Sequence, residues 1–120
     1  MSKNDEEAMR CARQLIEAMS NLRLLLERRE AVLRQALQVS EPAQDFTVAL
    51  KDAQITEQRE DLNEALFTLE RCRRASRIAS FRTALDHGVS INELSRIWGF
   101  SRQMASRYAK EARGEVPGQL

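Results

Sequence analysis

Apolar residues recur along the first third of the chain with the period of a helix. Ala8, Leu15, Leu22 and Ala36 share one seven-residue phase, interrupted by Arg29. Cys11, Ala18, Leu25, Val32 and Val39 share the phase three residues later, and Ala12, Met19, Leu26 and Leu33 widen the stripe. At 3.6 residues per turn such positions fall on one face. Neither Gly nor Pro occurs before Pro42. Ser2 or Asn4 can cap the start, and Asp5-Glu6-Glu7 place negative charge where the helix dipole favours it. The helix predicted to run to about Val39 is about 50 Å long. Its apolar side is too wide to face water alone.

Ser40-Glu41-Pro42-Ala43-Gln44 breaks this pattern, because Pro lacks an N–H and disfavours helix in the residue before it. Residues 45–52 fit either a short helix or an ordered loop. Thr56 offers a fresh cap. Ile55, Leu62 and Leu69 then repeat every seven residues, with Ala65, Leu66 and Cys72 filling the stripe. A long helix, a Pro-containing connection and a matching helix predict an antiparallel, coiled-coil-like hairpin. Two helices bury little core. The expectation is therefore a homodimer through residues 8–72, with Leu15, Leu22, Leu25, Leu26, Leu62, Leu66 and Leu69 at the interface. The rival is that the stripe packs only on the chain's own C-terminal part.

Beyond residue 74 the elements shorten. Ile78, Phe81 and Leu85 are spaced three and four apart, and His87-Gly88 ends that helix with a Gly C-cap. Ser90-Ile91-Asn92-Glu93 fits a capping box. Gly99 supplies a positive φ, and Ser101 can cap a further helix. Two helices are predicted, over about 91–98 and 102–112, joined too tightly to lie antiparallel. Leu94 and Trp98 face inward on the first, and Ala105, Tyr108 and Ala112 on the second, with Phe100 in the corner. Arg102, Gln103, Ser106, Arg107 and Lys110 are left outward, with no acid among them.

The run Leu94-Ser95-Arg96-Ile97-Trp98-Gly99-Phe100-Ser101-Arg102-Gln103-Met104-Ala105-Ser106-Arg107-Tyr108 resembles the L-A-x-x-L-G-V-S-x-x-x-V-S-R pattern of the bacterial helix-turn-helix DNA-binding superfamily. It covers roughly an eighth of the chain. It departs at Ser95, where Ala is usual, at Trp98 for Leu and at Phe100 for Val. The last two call for a wider corner or a displaced helix. The resemblance implies a trihelical helix-turn-helix domain over 75–113; the apolar periods before it give a dimerisation hairpin over 1–74, and the Pro- and Gly-containing end without a period gives a disordered tail over 114–120. It also implies double-stranded DNA as partner. Base reading would fall to Arg102, Gln103, Ser106, Arg107 and Lys110, since Arg matches the O6/N7 edge of guanine and Gln the N6/N7 edge of adenine. Phosphate contacts would fall to Ser90, Asn92 and Ser101 at helix starts, and to Arg74, Arg77 and Arg82.

Charge sharpens this division. Residues 1–70 hold nine Lys/Arg against fourteen Asp/Glu, and residues 71–113 hold ten against three. A basic C-terminal part is what a phosphate-facing surface requires. The alternative for its arginines is a solvated face paired with Glu57, Glu60, Glu64 and Glu70. Of the 19 basic residues 16 are Arg, which favours bidentate contacts. No apolar run approaches a membrane span and no leader-like segment opens the chain, so a cytoplasmic, nucleoid-associated protein is expected. Cys11 and Cys72 form no C-x-x-C pair, and His87 is the lone histidine. No metal site, cofactor or catalytic residue is expected, and the protein is read as no enzyme. Two further readings stay open: a DNA-binding accessory of replication, partition, recombination or phage packaging, and a helical protein–protein interaction or scaffold module.

Overall fold

The computed structural model describes residues 1–43, 45–53 and 55–114. Every regular element among them is an α-helix: α1 Lys3–Ala43, α2 Phe46–Asp52, α3 Ile55–Asp86, α4 Ile91–Trp98 and α5 Arg102–Ala112. The all-α class follows from the two amphipathic periodicities. Beyond Gly114, the tail expected over 114–120 lies outside the described residues. No described helix is long and apolar enough to cross a membrane.

Ser2 starts α1. Its hydroxyl accepts the Asp5 N–H at 3.1 Å and also lies 2.8 Å from the Asp5 carboxylate, to which it donates. The helix passes the expected end at Val39 and holds Pro42 in its closing turn. There the missing N–H removes one hydrogen bond from a turn that is already ending. The Ser40 hydroxyl, buried, donates back to the Ala36 carbonyl at 2.5 Å. The segment left open between loop and helix is the helix α2, because the Asp45 carboxylate caps it by accepting the Val48 N–H at 3.2 Å. α3 begins at Ile55, one residue before the expected cap Thr56, and continues without a break to Asp86.

The chain divides into two compact units, residues 16–70 and residues 1–15 with 71 onward. Residue 74, after which the boundary was expected, lies inside α3 and not at a helix end. In the unit of residues 16–70, Ala18, Leu22, Ala36 and Ala65 are buried. Small side chains there allow the α1 and α3 backbones to approach. Arg29 donates to Gln58 at 3.3 Å. Asn21 and Leu25 of α1 share a shallow groove with Asp61, Glu64, Ala65 and Thr68 of α3. Within this unit, residue numbers thus rise along α1 as they fall along α3.

The other unit is built on Phe81 of α3. Phe81 is fully buried, with Leu94 of α4 and Ala109 and Ala112 of α5 beside it. Ile78, Leu85, Val89, Ile91, Phe100 and Tyr108 pack around them, half-buried. The rings of Trp98, Phe100 and Tyr108 stand 5.7, 6.4 and 6.0 Å from Phe81, centroid to centroid. α3 ends as its Gly signal predicts. Gly88 has φ +80°, and the Val89 N–H closes on the Ala84 carbonyl at 3.0 Å. The start of α1 meets this helix end: Asp5 accepts from Thr83 and lies 3.0 Å from His87 Nε2, and Asn4 donates to Asp86.

This packing has two measurable consequences. Phe81→Ala lowers the unfolding free energy by about 3–5 kcal/mol, because no neighbour can fill the site of a ring touched on all sides; urea denaturation followed by circular dichroism measures it. Asp5 makes part of the stability pH-dependent. Hydrogen bonds from Thr83, Ser2 and His87, in that order, hold its carboxyl well below the usual carboxylate range. A carboxyl depressed in the folded state contributes stability that is complete above its unfolded value and is lost as pH falls through the folded one. Asp5→Asn removes that contribution. The variant melts below wild type at neutral pH, and the gap narrows in thermal scans taken below about pH 4.

Candidate nucleic-acid interface

The turn between α4 and α5 is set by three local devices. Ser90 caps α4, its hydroxyl accepting the Glu93 N–H at 3.1 Å. Gly99 takes φ +72°, ending α4 with its N–H on the Ser95 carbonyl. Ser101 caps α5 by accepting the Met104 N–H at 3.1 Å. Ser95 adds a lock that was not anticipated from sequence. Its carbonyl also takes the Phe100 N–H at 3.0 Å, and its hydroxyl donates to the Phe100 carbonyl at 2.6 Å. The signal was present as a departure: an Ala at this position has no hydroxyl to close the turn. The large residues at the corner are accommodated at its edge. Trp98 remains 38% exposed and stacks on Phe100 at 5.9 Å with an interplanar angle of 19°.

α5 buries Ala105, Ala109 and Ala112. Ala109 takes the fully inward place expected of Tyr108, whose bulk is displaced to the side of the helix, half-buried. Away from them Gln103, Arg107 and Lys110 are exposed and Ser106 is half-buried, while Arg102 is exposed at the first residue of the helix. Arg102 and Gln103 occupy the first turn, beside backbone N–H groups that have no partner inside the helix. Ser90, Asn92 and Ser101 are exposed at the two helix starts. The structure thus brings the five outward α5 residues and Ser101 onto one helix and its cap.

The one acid of α5, a turn beyond Arg107, is held by arginines of α3. Glu111 lies 3.4 Å from Arg74 Nε and 3.6 Å from an Arg77 terminal nitrogen. The Arg77 guanidinium stacks over the Tyr108 ring at 4.0 Å, and its side chain is only 15% exposed. Arg82 donates through Nε to the Ala112 carbonyl at 3.1 Å, satisfying one of the free carbonyls that end α5. Arg74 and Arg77 thus meet an acid of α5, Glu111, which was not among the acids considered as their partners. The three arginines join α3 to α5, and Arg74 and Arg82 remain exposed while they do so. Glu111 and Tyr108 carried no signal in sequence, because both contacts join residues more than thirty positions apart.

The leucines expected to pair two copies divide. Leu22 is buried inside its own unit, Leu15, Leu25, Leu62 and Leu69 are half-buried, and Leu26 and Leu66 are exposed. Cys11 is buried and Cys72 half-buried. Burial, then the Glu7 carboxylate, pushes the Cys11 thiol up, so it is a thiol at neutral pH. No group of three His, Cys, Asp or Glu that could hold a metal ion occurs among the described residues.

Comparison with protein-family models, with curated proteins and with solved structures finds no match for this chain.

The role given to Ser95 is measurable. Ser95→Ala removes one intramolecular hydrogen bond and lowers stability by about 0.5–1.5 kcal/mol in chemical denaturation, the usual worth of such a bond. Gly99→Ala costs about 1–2 kcal/mol through its positive φ alone, since a Cβ there meets nothing within 4 Å.

Proposed function

We propose that the protein is a sequence-specific, dimeric DNA-binding protein, a small transcriptional regulator that reads the major groove with α5. In this reading α3, α4 and α5 make a trihelical helix-turn-helix domain, and α1 with α3 makes a helical hairpin through which two copies associate. The observation that carries it is the outward face of α5. Arg102, Gln103, Ser106, Arg107 and Lys110 stand on one side of a capped helix whose only acid is held by Arg74 and Arg77.

Arg102 and Gln103, in the first turn, reach base edges. Ser106, Arg107 and Lys110 extend the reading along the groove. Ser90, Asn92 and Ser101 present helix N-termini to phosphates. Arg74 and Arg82 flank them as further phosphate contacts. Arg77 belongs to the same set through its charge, while its stacked guanidinium chiefly holds α5 on α3. Two half-sites related by the dimer's symmetry form the operator, because one small domain contacts too few phosphates and bases to bind specifically at cellular salt. The protein then works in the cytoplasm, on the nucleoid. This reading assigns no catalytic step and no cofactor.

The interaction-module reading draws on the apolar residues that α1 exposes, and one experiment separates the two. The purified chain is titrated into labelled random-sequence duplex DNA at two salt concentrations, and bound sequences are selected. Steep salt dependence with enrichment of a paired half-site is expected. Salt-sensitive binding without enrichment points to a DNA-binding accessory, and no binding at low salt overturns the DNA reading. Arg102→Ala relaxes preference at one base pair of each half-site by about 1–3 kcal/mol; an unchanged selected sequence removes Arg102 from the reading set.

A further inference from the structure

In the unit of residues 16–70, α1 carries two apolar rows side by side. One holds Ala18, Leu22, Ala36 and Ser40 and is buried within the chain. The next row on the helix holds Ile16, Met19, Leu26, Leu33 and Leu37, spaced 3, 7, 7 and 4 residues apart. These five are between 38% and 61% exposed. Five large apolar side chains aligned on one helix face are more than the scattered exposure a monomer's surface normally shows. The row is about 32 Å long.

Two charged residues share it. Arg23 falls between Met19 and Leu26, and Glu30 between Leu26 and Leu33, both exposed. Among the described residues they meet neighbours on their own helix: Arg23 donates to the Ser20 hydroxyl at 3.2 Å, and Glu30 meets Arg34 at 2.6 Å. From end to end the row reads apolar, apolar, Arg, apolar, Glu, apolar, apolar. That order is its own complement when reversed. Laid antiparallel on a second α1 about Leu26, it sets Ile16 against Leu37, Met19 against Leu33, Leu26 against itself, and Arg23 against Glu30 twice. A parallel copy would instead oppose Arg23 to Arg23 and Glu30 to Glu30.

The geometry points to a second copy of this chain as the occupant of this face, docked antiparallel on α1 about a two-fold axis at Leu26. A two-fold contact of this kind uses the same patch on both partners and closes after two. The charges set its register and direction, and the apolar pairs supply the burial. The inference rests on the dimeric part of the proposed function and not on its DNA-binding part. It also moves the interface off Leu22, which the chain covers itself, and onto the neighbouring row with Leu26.

The test is sedimentation equilibrium of the full chain at micromolar concentration without DNA, with circular dichroism to show that each variant keeps its helices. Wild type is expected to be a dimer. Arg23→Glu and Glu30→Arg each oppose like charges at two symmetric places and weaken the dimer by at least about tenfold. The double variant Arg23→Glu/Glu30→Arg exchanges the charges and returns to wild-type association. Helical single variants that associate like wild type, or a double variant that does not recover, overturn the proposal.

A second readout fixes direction. Leu26→Cys is linked to its own copy by a short bifunctional maleimide, above the background of the wild-type chain with Cys11 and Cys72. Leu37→Cys is not, because antiparallel copies hold that position about 32 Å from itself. Self-linking at Leu37 overturns the antiparallel arrangement. A monomeric wild type that still selects a DNA sequence overturns the second copy as occupant and leaves the DNA reading standing. A dimer that meets the charge test but binds no DNA does the reverse.

Discussion

Phe81 is in contact with everything that gives the C-terminal unit its form. Three aromatic rings from α4, the turn and α5 surround it within 6.4 Å, and Leu94 and two alanines of α5 complete its enclosure. An eight-residue α4 and an eleven-residue α5 are too short to persist alone in water. They exist because each buries a face against this ring. The alanines of α5 matter as much as the aromatics. Side chains as small as Ala105, Ala109 and Ala112 let the helix backbone come down onto the core, and larger residues on that side would lift it off. With those three inward, the helix period leaves Gln103, Arg107 and Lys110 outward, and Arg102 is exposed because it opens the helix.

The arginines of α3 show how a charged residue can serve packing. Arg77 lies on the Tyr108 ring with Glu111 beside it, so its charge is held by a π face and a carboxylate in place of water. Arg82 takes a carbonyl at the end of α5. These contacts hold the acid of α5 against α3 and offset its charge there. In the proposed function, the contacts that orient α5 are the same ones that make its surface attractive to phosphate. Positioning and electrostatics are then two consequences of one set of side chains.

α1 poses a different problem. Its apolar side is wider than one partner helix can cover. A single helix covers the row of Ala18, Leu22 and Ala36 and leaves the adjoining row of Ile16, Met19, Leu26, Leu33 and Leu37 exposed. The widened stripe was plain in the heptad phases, which put Met19, Leu26 and Leu33 beside Cys11, Ala18 and Leu25. Which row the chain keeps for itself was not. The choice depends on where small residues permit close approach, and Ala18, Ala36 and Ala65 mark that place only once α1 and α3 are set against each other.

Features that form within a few residues could be read from the chain before it was folded. Ser90, Gly99 and Ser101 act through hydrogen bonds that span three or four positions, so their roles were legible and the limits of α4 and α5 came with them. The outward face of α5 was legible for the same reason, since a helix fixes which residues share a side. The single continuous α3 was less so: two apolar patterns with different partners succeed each other along it, and an uninterrupted backbone carries both. The partners of long side chains were settled only by packing. Arg74 and Arg77 both meet Glu111, because folding around Phe81 brings α5 alongside α3. Packing also gave the inward place to Ala109 over Tyr108, since a methyl fits beneath a close-packed helix and a phenol ring does not.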